Sequence, residues 1–180
     1  LYYKHSLPAH AGLFRDLVNR LMPRRQLRTD AHPLVEITLM RQGARAALVT
    51  SLGCGDVLEI AGQMRPRTYA LIQQKPKPVI PRDHVIEVRE RVDAFGGVVE
   101  RLSEDEIRRV VAELRRLDPE SVAVSLVFSF LNPAHERRAR ELILARHKDL
   151  MVSLSCEVDP AFREYERTCI TAFDAYIKPV

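Results

Sequence analysis

Cysteine is scarce in this chain and never clustered: there are three in 180 residues, Cys54, Cys156 and Cys169. An odd number at wide spacing, without a Cys-x-x-Cys pair, excludes a disulfide scaffold and a zinc site of the usual ligand spacing. A reducing, cytoplasmic setting is the simplest expectation. Long apolar runs are also missing. None approaches the roughly 20 residues that span a bilayer, and no secretory signal is visible, so no membrane association is expected. Lysine supplies only five of the 28 basic residues, and no long block of one charge sign occurs. The formal net charge of +4 therefore reads as a solvated surface and not as a nucleic-acid footprint. The common catalytic signatures are absent as well: no Gly-x-x-x-x-Gly-Lys-Ser/Thr, no Gly-x-Gly-x-x-Gly, no His-Glu-x-x-His and no Gly-x-Ser-x-Gly. His135-Glu136 is followed by arginines; a lone histidine at a helix start reads as a surface residue, and no metal ligand is assigned.

What is present is an ordinary globular composition, 46% hydrophobic and 29% charged, enough for a domain with its own core. Residues Ala9 to Met22 and His32 to Arg41 are helix candidates. Arg45 to Thr50 reads as a buried strand, followed by a glycine-containing turn and a short helix from Asp56 to Gly62. Three prolines between Gln73 and Pro81 predict extended surface chain. His84 to Val92 alternates Val85, Glu87, Arg89 and Arg91 with Ile86, Val88, Glu90 and Val92, the period of a half-exposed strand, and Gly96-Gly97 then turns the chain. Ser103 with Glu106 forms a capping box ahead of the stripe Ile107, Val110, Val111 and Leu114. Val122 to Phe130 reads as a strand covered on both faces. Helices are expected from Asn132-Pro133 to about His147 and from Asp159-Pro160 onward, with a strand at Met151 to Ser155 between them. Strand–helix–strand order with short loops predicts an α/β sheet with parallel neighbours.

Two segments can carry chemistry. In Arg163-Glu164-Tyr165-Glu166-Arg167-Thr168, two guanidiniums flank two carboxylates. The block can orient a charged substrate or a subunit contact through arginine forks, or it can be an ion-pair network holding a strand–helix junction. On the first reading, removing the Arg167 side chain lowers activity without unfolding the protein. On the second it destroys the cooperative melt. In the segment from Gly53 to Pro66, Asp56 and Glu59 can line a cleft with Arg65, or Asp56 can simply cap the short helix. Cys54 has no base beside it in sequence and is not read as a nucleophile. Arg82 reads as a surface or structural arginine. Catalytic residues proper are not identifiable.

Taken in order, these phrases resemble a known family. They are Gly53-Cys54-Gly55-Asp56-Val57-Leu58-Glu59-Ile60-Ala61-Gly62-Gln63-Met64-Arg65-Pro66, Lys77-Pro78-Val79-Ile80-Pro81-Arg82, Glu87 to Gly97, Val122 to Glu136 with Asn132-Pro133-Ala134-His135-Glu136, and Ser153 to Thr168. Thr171, Ala175-Tyr176 and Pro179 continue the pattern. The region from Gly43 to Val180 is similar to the N-terminal region of the ATP-dependent hydantoinase/oxoprolinase family, which includes 5-oxoprolinases, N-methylhydantoinases and subunits of acetone and acetophenone carboxylases. The resemblance implies an α/β fold that is a partial actin-like, ribonuclease-H-type domain with a mixed sheet and flanking helices. It implies an enzyme that uses ATP and Mg²⁺ to activate a carbonyl and hydrolyse a cyclic amide, with the ketone-carboxylase subunit as alternative. A cyclic amide or ketone substrate and a partner subunit or homo-oligomer follow from the same likeness. Asp56 and Arg65 are then expected to line the cleft, and Glu164, Glu166, Arg167 and Thr168 to shape its floor.

The chain departs from the family in places. The Asp-x-Gly-Gly-Thr-x-Thr-Asp phosphate loop has no counterpart, and Thr29-Asp30-Ala31-His32 with Glu36 stands where the family shows His-Gly-Thr-Thr and a following asparagine. Cys54-Gly55 replaces an aromatic and an arginine, and Asp174 replaces an asparagine. With no initial methionine at Leu1, residues 1–180 are expected to be an incomplete N-terminal domain of a larger enzyme. A non-catalytic, degenerate homologue is the third reading.

Overall fold

The first described strand is built from small and apolar residues with one threonine. Every residue of β1 (Ala46–Ser51) is buried, as expected for a strand with parallel neighbours on both sides. β2 (Val85–Val88) and β5 (Ser121–Ser125) flank it, and β6 (Met151–Leu154) extends the sheet in the order β2-β1-β5-β6, parallel throughout. Between β2 and β5 the chain forms a two-stranded antiparallel hairpin of β3 (Arg91–Val92) and β4 (Val98–Glu100). Among the described residues the main sheet is wholly parallel, where a mixed sheet was expected, and antiparallel pairing occurs in this separate hairpin; helical crossovers return the strands in the same direction. The helices are α1 (Val57–Ile60), α2 (Glu104–Leu117), α3 (Ala134–Leu144), α4 (Ser155–Val158) and α5 (Glu164–Ile177).

This architecture comes from a computed structural model that describes residues 43–62, 69 and 77–179. All but Tyr69 belong to one compact unit, Gly43–Gly62 with Lys77–Val180. The helix candidates at Ala9 to Met22 and His32 to Arg41, the His32/Glu36 departure and Arg65 lie outside the described residues.

The two sheet faces have different cores. Ala47, Val49, Val122 and Val124 meet Ile107, Val110, Val111 and Leu114 of α2 and Ala139 and Ile143 of α3. On the other face Ala46, Leu48 and Ala123 meet Ala172 and Ala175 of α5, together with Ile80. The period-2 alternation of strands sorts these two sets. Ile80 is fully buried, so the proline-rich stretch is not wholly a surface segment as expected. Hydroxyls supplement the small apolar residues under α5: Ser121 Oγ donates to Ala175 O at 2.5 Å and Ser153 Oγ to Asp174 at 2.5 Å.

Ser103 caps α2 as anticipated, accepting from Glu106 N at 3.2 Å. The Glu106 carboxylate does not complete the box. It turns to Arg109 and to Arg89 N, while Arg109 also donates to Glu87 O. These side chains occupy the outward backbone groups of edge strand β2 and so blunt it against further pairing.

Three boundaries differ from expectation, the first two because backbone groups bond side chains instead of continuing regular structure. Val122 to Phe130 is not one strand: β5 stops at Ser125 and the chain turns, with Phe128 at φ 57. Leu126 N and Val127 N donate to side chains, Glu136 and Ser51, instead of continuing the sheet. The final helix starts at Glu164 and not at Asp159-Pro160, because Arg167 holds Ala161 O outside the helix. His84 to Val92 divides at Arg89-Glu90 into β2 and β3, although its burial alternates as read, with Ile86, Val88, Glu90 and Val92 buried.

Candidate functional site

The loops that follow the parallel strands gather a connected set of polar side chains at one end of the sheet. After β1, the turn at Gly53 to Asp56 is clamped by Glu87 of β2, whose Oε1 accepts from Gly53 N at 2.9 Å and Gly55 N at 3.0 Å. Arg82 reaches the same carboxylate at 3.4 Å. A Cβ on Gly55 would lie 2.6 Å from Arg82 Nη2 and 2.9 Å from Glu87 Cδ, so a larger residue there would displace the Arg82–Glu87 pair. The half-buried Cys54 thiol belongs to this turn. Burial pushes its pKa up, with Arg91 opposing.

At the start of α3, two adjacent residues reach in different directions. Glu136 is fully buried. Its Oε1 accepts from Leu126 N at 2.9 Å and Ser155 Oγ at 2.6 Å, and its Oε2 accepts from Cys156 N at 2.9 Å. His135 places Nδ1 2.7 Å from Glu90 Oε2, while Ser51 Oγ bonds Glu90 Oε1. Asn132 ties the same turn to the hairpin, donating Nδ2 to Gly96 O at 2.9 Å. His135 is therefore not the surface residue its sequence position suggested. It is 8% exposed, held inside by the carboxylate of Glu90.

Arg167 is the largest fully buried side chain among the described residues. Nε donates to Ser155 Oγ at 3.1 Å, Nη1 to Ala161 O at 2.9 Å, and Nη2 to Leu126 O at 2.9 Å and to Glu164. The guanidinium also stacks 5.3 Å from the Phe130 ring centroid. Thr168 Oγ1 and Ser125 Oγ are 2.7 Å apart. The structure thus brings Glu164, Arg167 and Thr168 together at the junction of β5, α4 and α5. Burial raises the Glu164 pKa, partly countered by Arg167. Glu166 turns away, paired with exposed Arg163 at 3.3 Å. Asp56 is exposed and makes no side-chain cap bond to α1, so the capping expectation fails there. Arg65 cannot be placed, lying outside the described residues.

Sequence reasoning missed Glu87, Glu90, His135 and Glu136. For Glu90 a signal existed: an acid on the buried phase of an alternating strand implies a polar partner inside.

All three cysteines are free. Burial, then the Glu136 carboxylate, pushes Cys156 up to about 12, and burial pushes Cys169 up to about 11. A raised pKa keeps the thiol protonated at neutral pH and lowers the thiolate fraction. Alkylation of native Cys156 at pH 7.5 is expected to run at least about tenfold slower than that of an exposed thiol. Mass-spectrometric timing of iodoacetamide labelling checks this; labelling of Cys156 at the free-thiol rate would contradict it.

A parallel sheet with helices on both faces and a polar cluster beyond its strand ends defines an α/β domain. The chain belongs to the hydantoinase/oxoprolinase family: the family model described as "Hydantoinase/oxoprolinase N-terminal region" matches residues 34–147. It is 41% identical over 136 residues to an uncharacterised protein of Methanocaldococcus jannaschii, covering 76% of this chain and 20% of that protein. It is 36% identical to the acetophenone carboxylase gamma subunit of Aromatoleum aromaticum, covering 89% of this chain and 24% of that subunit. The crystal structure of the ATP-dependent caprolactamase from Pseudomonas jessenii matches with a TM-score of 0.74 at 25% identity, over 94% of this chain and 26% of that one. The chain therefore spans about a fifth to a quarter of the length of these relatives.

Proposed function

We propose that this chain is part of an ATP-dependent enzyme that activates a carbonyl and hydrolyses a cyclic amide, acting with further polypeptide or a partner subunit. The observation that carries the reading is the likeness to the ATP-dependent caprolactamase across 94% of the chain. Cyclic amides resist water because nitrogen donates into the carbonyl, and ATP-coupled activation of that carbonyl makes it a better electrophile. In this reading Asp56 borders the cleft, while Glu164, Arg167 and Thr168 shape its floor, Arg167 by holding loops in place. The actin-like topology and the cytoplasmic setting belong to the same proposal. Among the described residues no helix is long and apolar enough to cross a membrane.

The described residues do not by themselves fit ATP and Mg²⁺. No group of three or more His, Cys, Asp or Glu side chains converges among them, and no glycine-rich phosphate loop is present in the sequence. Nucleotide contacts are therefore assigned to polypeptide beyond these residues. The second reading, an ATP-dependent ketone carboxylase subunit, is favoured by the 36% identity to the acetophenone carboxylase gamma subunit.

The test is ADP release by the intact protein with its copurifying partners. Release that requires a lactam and matches the ring-opened product supports hydrolysis. Release that requires a ketone and bicarbonate moves the assignment to carboxylation. No substrate-dependent release in either mixture overturns both readings.

A further inference from the structure

The loops that follow the parallel strands carry the polar cluster, and they also carry most of the large apolar side chains left open in the compact unit. Leu52 follows β1, and Phe95, Val98 and Val99 lie on the hairpin after β2. Leu131 follows β5, and Phe162 follows β6 by way of α4. All six are exposed, Phe95 by 97% and Phe162 by 69%. The opposite end of the sheet, where β6 opens, shows Met151, 43% exposed. Fixed bonds hold the apolar rim in place, so its exposure is not that of slack chain. Asp93 Oδ1 accepts from Phe95 N and Gly97 N, each at 2.8 Å, while Gly96 takes a left-handed φ of 83. Asn132 Nδ2 donates to Gly96 O at 2.9 Å and seats the hairpin tip beside Leu131. Arg91 Nη2 donates to Leu52 O at 2.8 Å, and Arg167 joins Leu126 O to Ala161 O, next to Phe162. Ordered apolar surface gathered at one end of a domain marks a face covered by other polypeptide.

We propose that this strand-end rim is an interface with a further domain of the same polypeptide, whose matching surface presents apolar side chains to Phe95, Leu131 and Phe162. Two observations select that occupant. The matched part makes up 20 to 26% of three relatives, so most of each of those proteins lies outside it. The rim is also small. Six apolar side chains spread over four loops fall short of the roughly 20 to 30 residues a side that a stable association between separate molecules takes. A domain joined through the chain itself meets the rim at high effective concentration and needs less surface to stay docked. The inference takes from the proposed function only that further polypeptide acts with this chain, and nothing from the reaction.

The experiment uses the intact protein carrying Phe95→Cys, Phe162→Cys or Met151→Cys. Maleimide labelling of each new thiol is timed by peptide mass spectrometry and divided by its rate in the urea-unfolded protein, which removes differences in intrinsic thiol reactivity. Phe95→Cys and Phe162→Cys are expected to label at least about tenfold slower than Met151→Cys, the reverse of the order that their exposure in this domain gives. Labelling of either at or above the Met151→Cys rate overturns the proposal. A photo-crosslinking phenylalanine analogue incorporated at position 95 then identifies the occupant. Crosslinked peptides from outside residues 1–180, in a band of unchanged subunit mass, support the assignment to the same polypeptide. A band of twice that mass, a band that includes a partner subunit, or a crosslink to a peptide within residues 1–180 overturns it. Turnover is not measured, so failure here leaves the hydrolytic reading standing, and failure of that reading leaves the interface standing.

Discussion

Replacing Arg167 by Met is expected to cost the domain about 3 to 5 kcal/mol, the range for breaking a buried charged network by removing one partner. The guanidinium is fully buried and satisfies Leu126 O, Ala161 O and Ser155 Oγ. Methionine has comparable length but offers no donor, so the buried Leu126 carbonyl and the part-buried Ala161 carbonyl lose their partners. Each such loss costs about 1 to 3 kcal/mol, and the contact with Phe130 is lost as well. Typical domains are stable by about 5 to 15 kcal/mol, so the cooperative urea transition should weaken severely or vanish. Glu164→Gln should behave differently. The Glu164 side chain is 36% exposed, and its neutralisation leaves the buried guanidinium with Leu126 O, Ala161 O and Ser155 Oγ as acceptors, so the loss is smaller than that of the guanidinium itself. Burial raises its pKa, so the native state holds the proton more tightly than the unfolded chain. The stability this contributes is complete below the ordinary carboxyl pKa and is lost as pH rises through the native value. Glu164→Gln should therefore gain on the parent protein as pH rises from about 4 to 7. Urea melts at both pH values check the pair. An Arg167→Met variant that melts like the parent but has lost activity would return the side chain to a direct role in the cleft.

Local patterns carried much of this fold. The stripe Ile107, Val110, Val111 and Leu114 is buried as its period requires, and Ser103 caps the helix that presents it. The alternation from Val85 to Val92 sorts inward from outward side chains even where the strand breaks. What the pattern could not show was where backbone amides leave regular structure for side-chain acceptors distant in sequence. The apolar run from Val122 continues past Ser125 with no local sign of a turn; the turn exists because Glu136 and Ser51 take the next two amides. The site was legible in part for the same reason. The Arg163 to Thr168 block stood out by composition, and its core, Arg167, is buried at a junction. His135 and Glu136 were read as part of a family phrase, but their partners Glu90, Ser155 and Cys156 lie 19 to 45 residues away. No local spacing reports contacts of that range.

Glu136→Gln is the second large effect. All three groups facing the Glu136 carboxylate are donors: Leu126 N, Cys156 N and the Ser155 hydroxyl. Glutamine replaces one oxygen by an amide nitrogen, so one donor must face another whichever way the amide turns. The expected cost is about 2 to 4 kcal/mol, above that of an ordinary lost hydrogen bond because the site admits no water. Ser155 couples this loss to Arg167. Its single hydrogen goes to Glu136, which leaves its lone pairs to accept from Arg167 Nε at 3.1 Å and from Ser129 Oγ at 2.9 Å. Once glutamine disturbs that hydroxyl, part of what Arg167 contributes is already gone. The double variant Arg167→Met/Glu136→Gln should therefore be less destabilised than the two single losses added, by about 1 to 3 kcal/mol. Because the double variant retains the least stability, the cycle is best measured in a stabilising osmolyte. Strict additivity would mean that Ser155 does not relay the effect and that the two charges stabilise the junction independently.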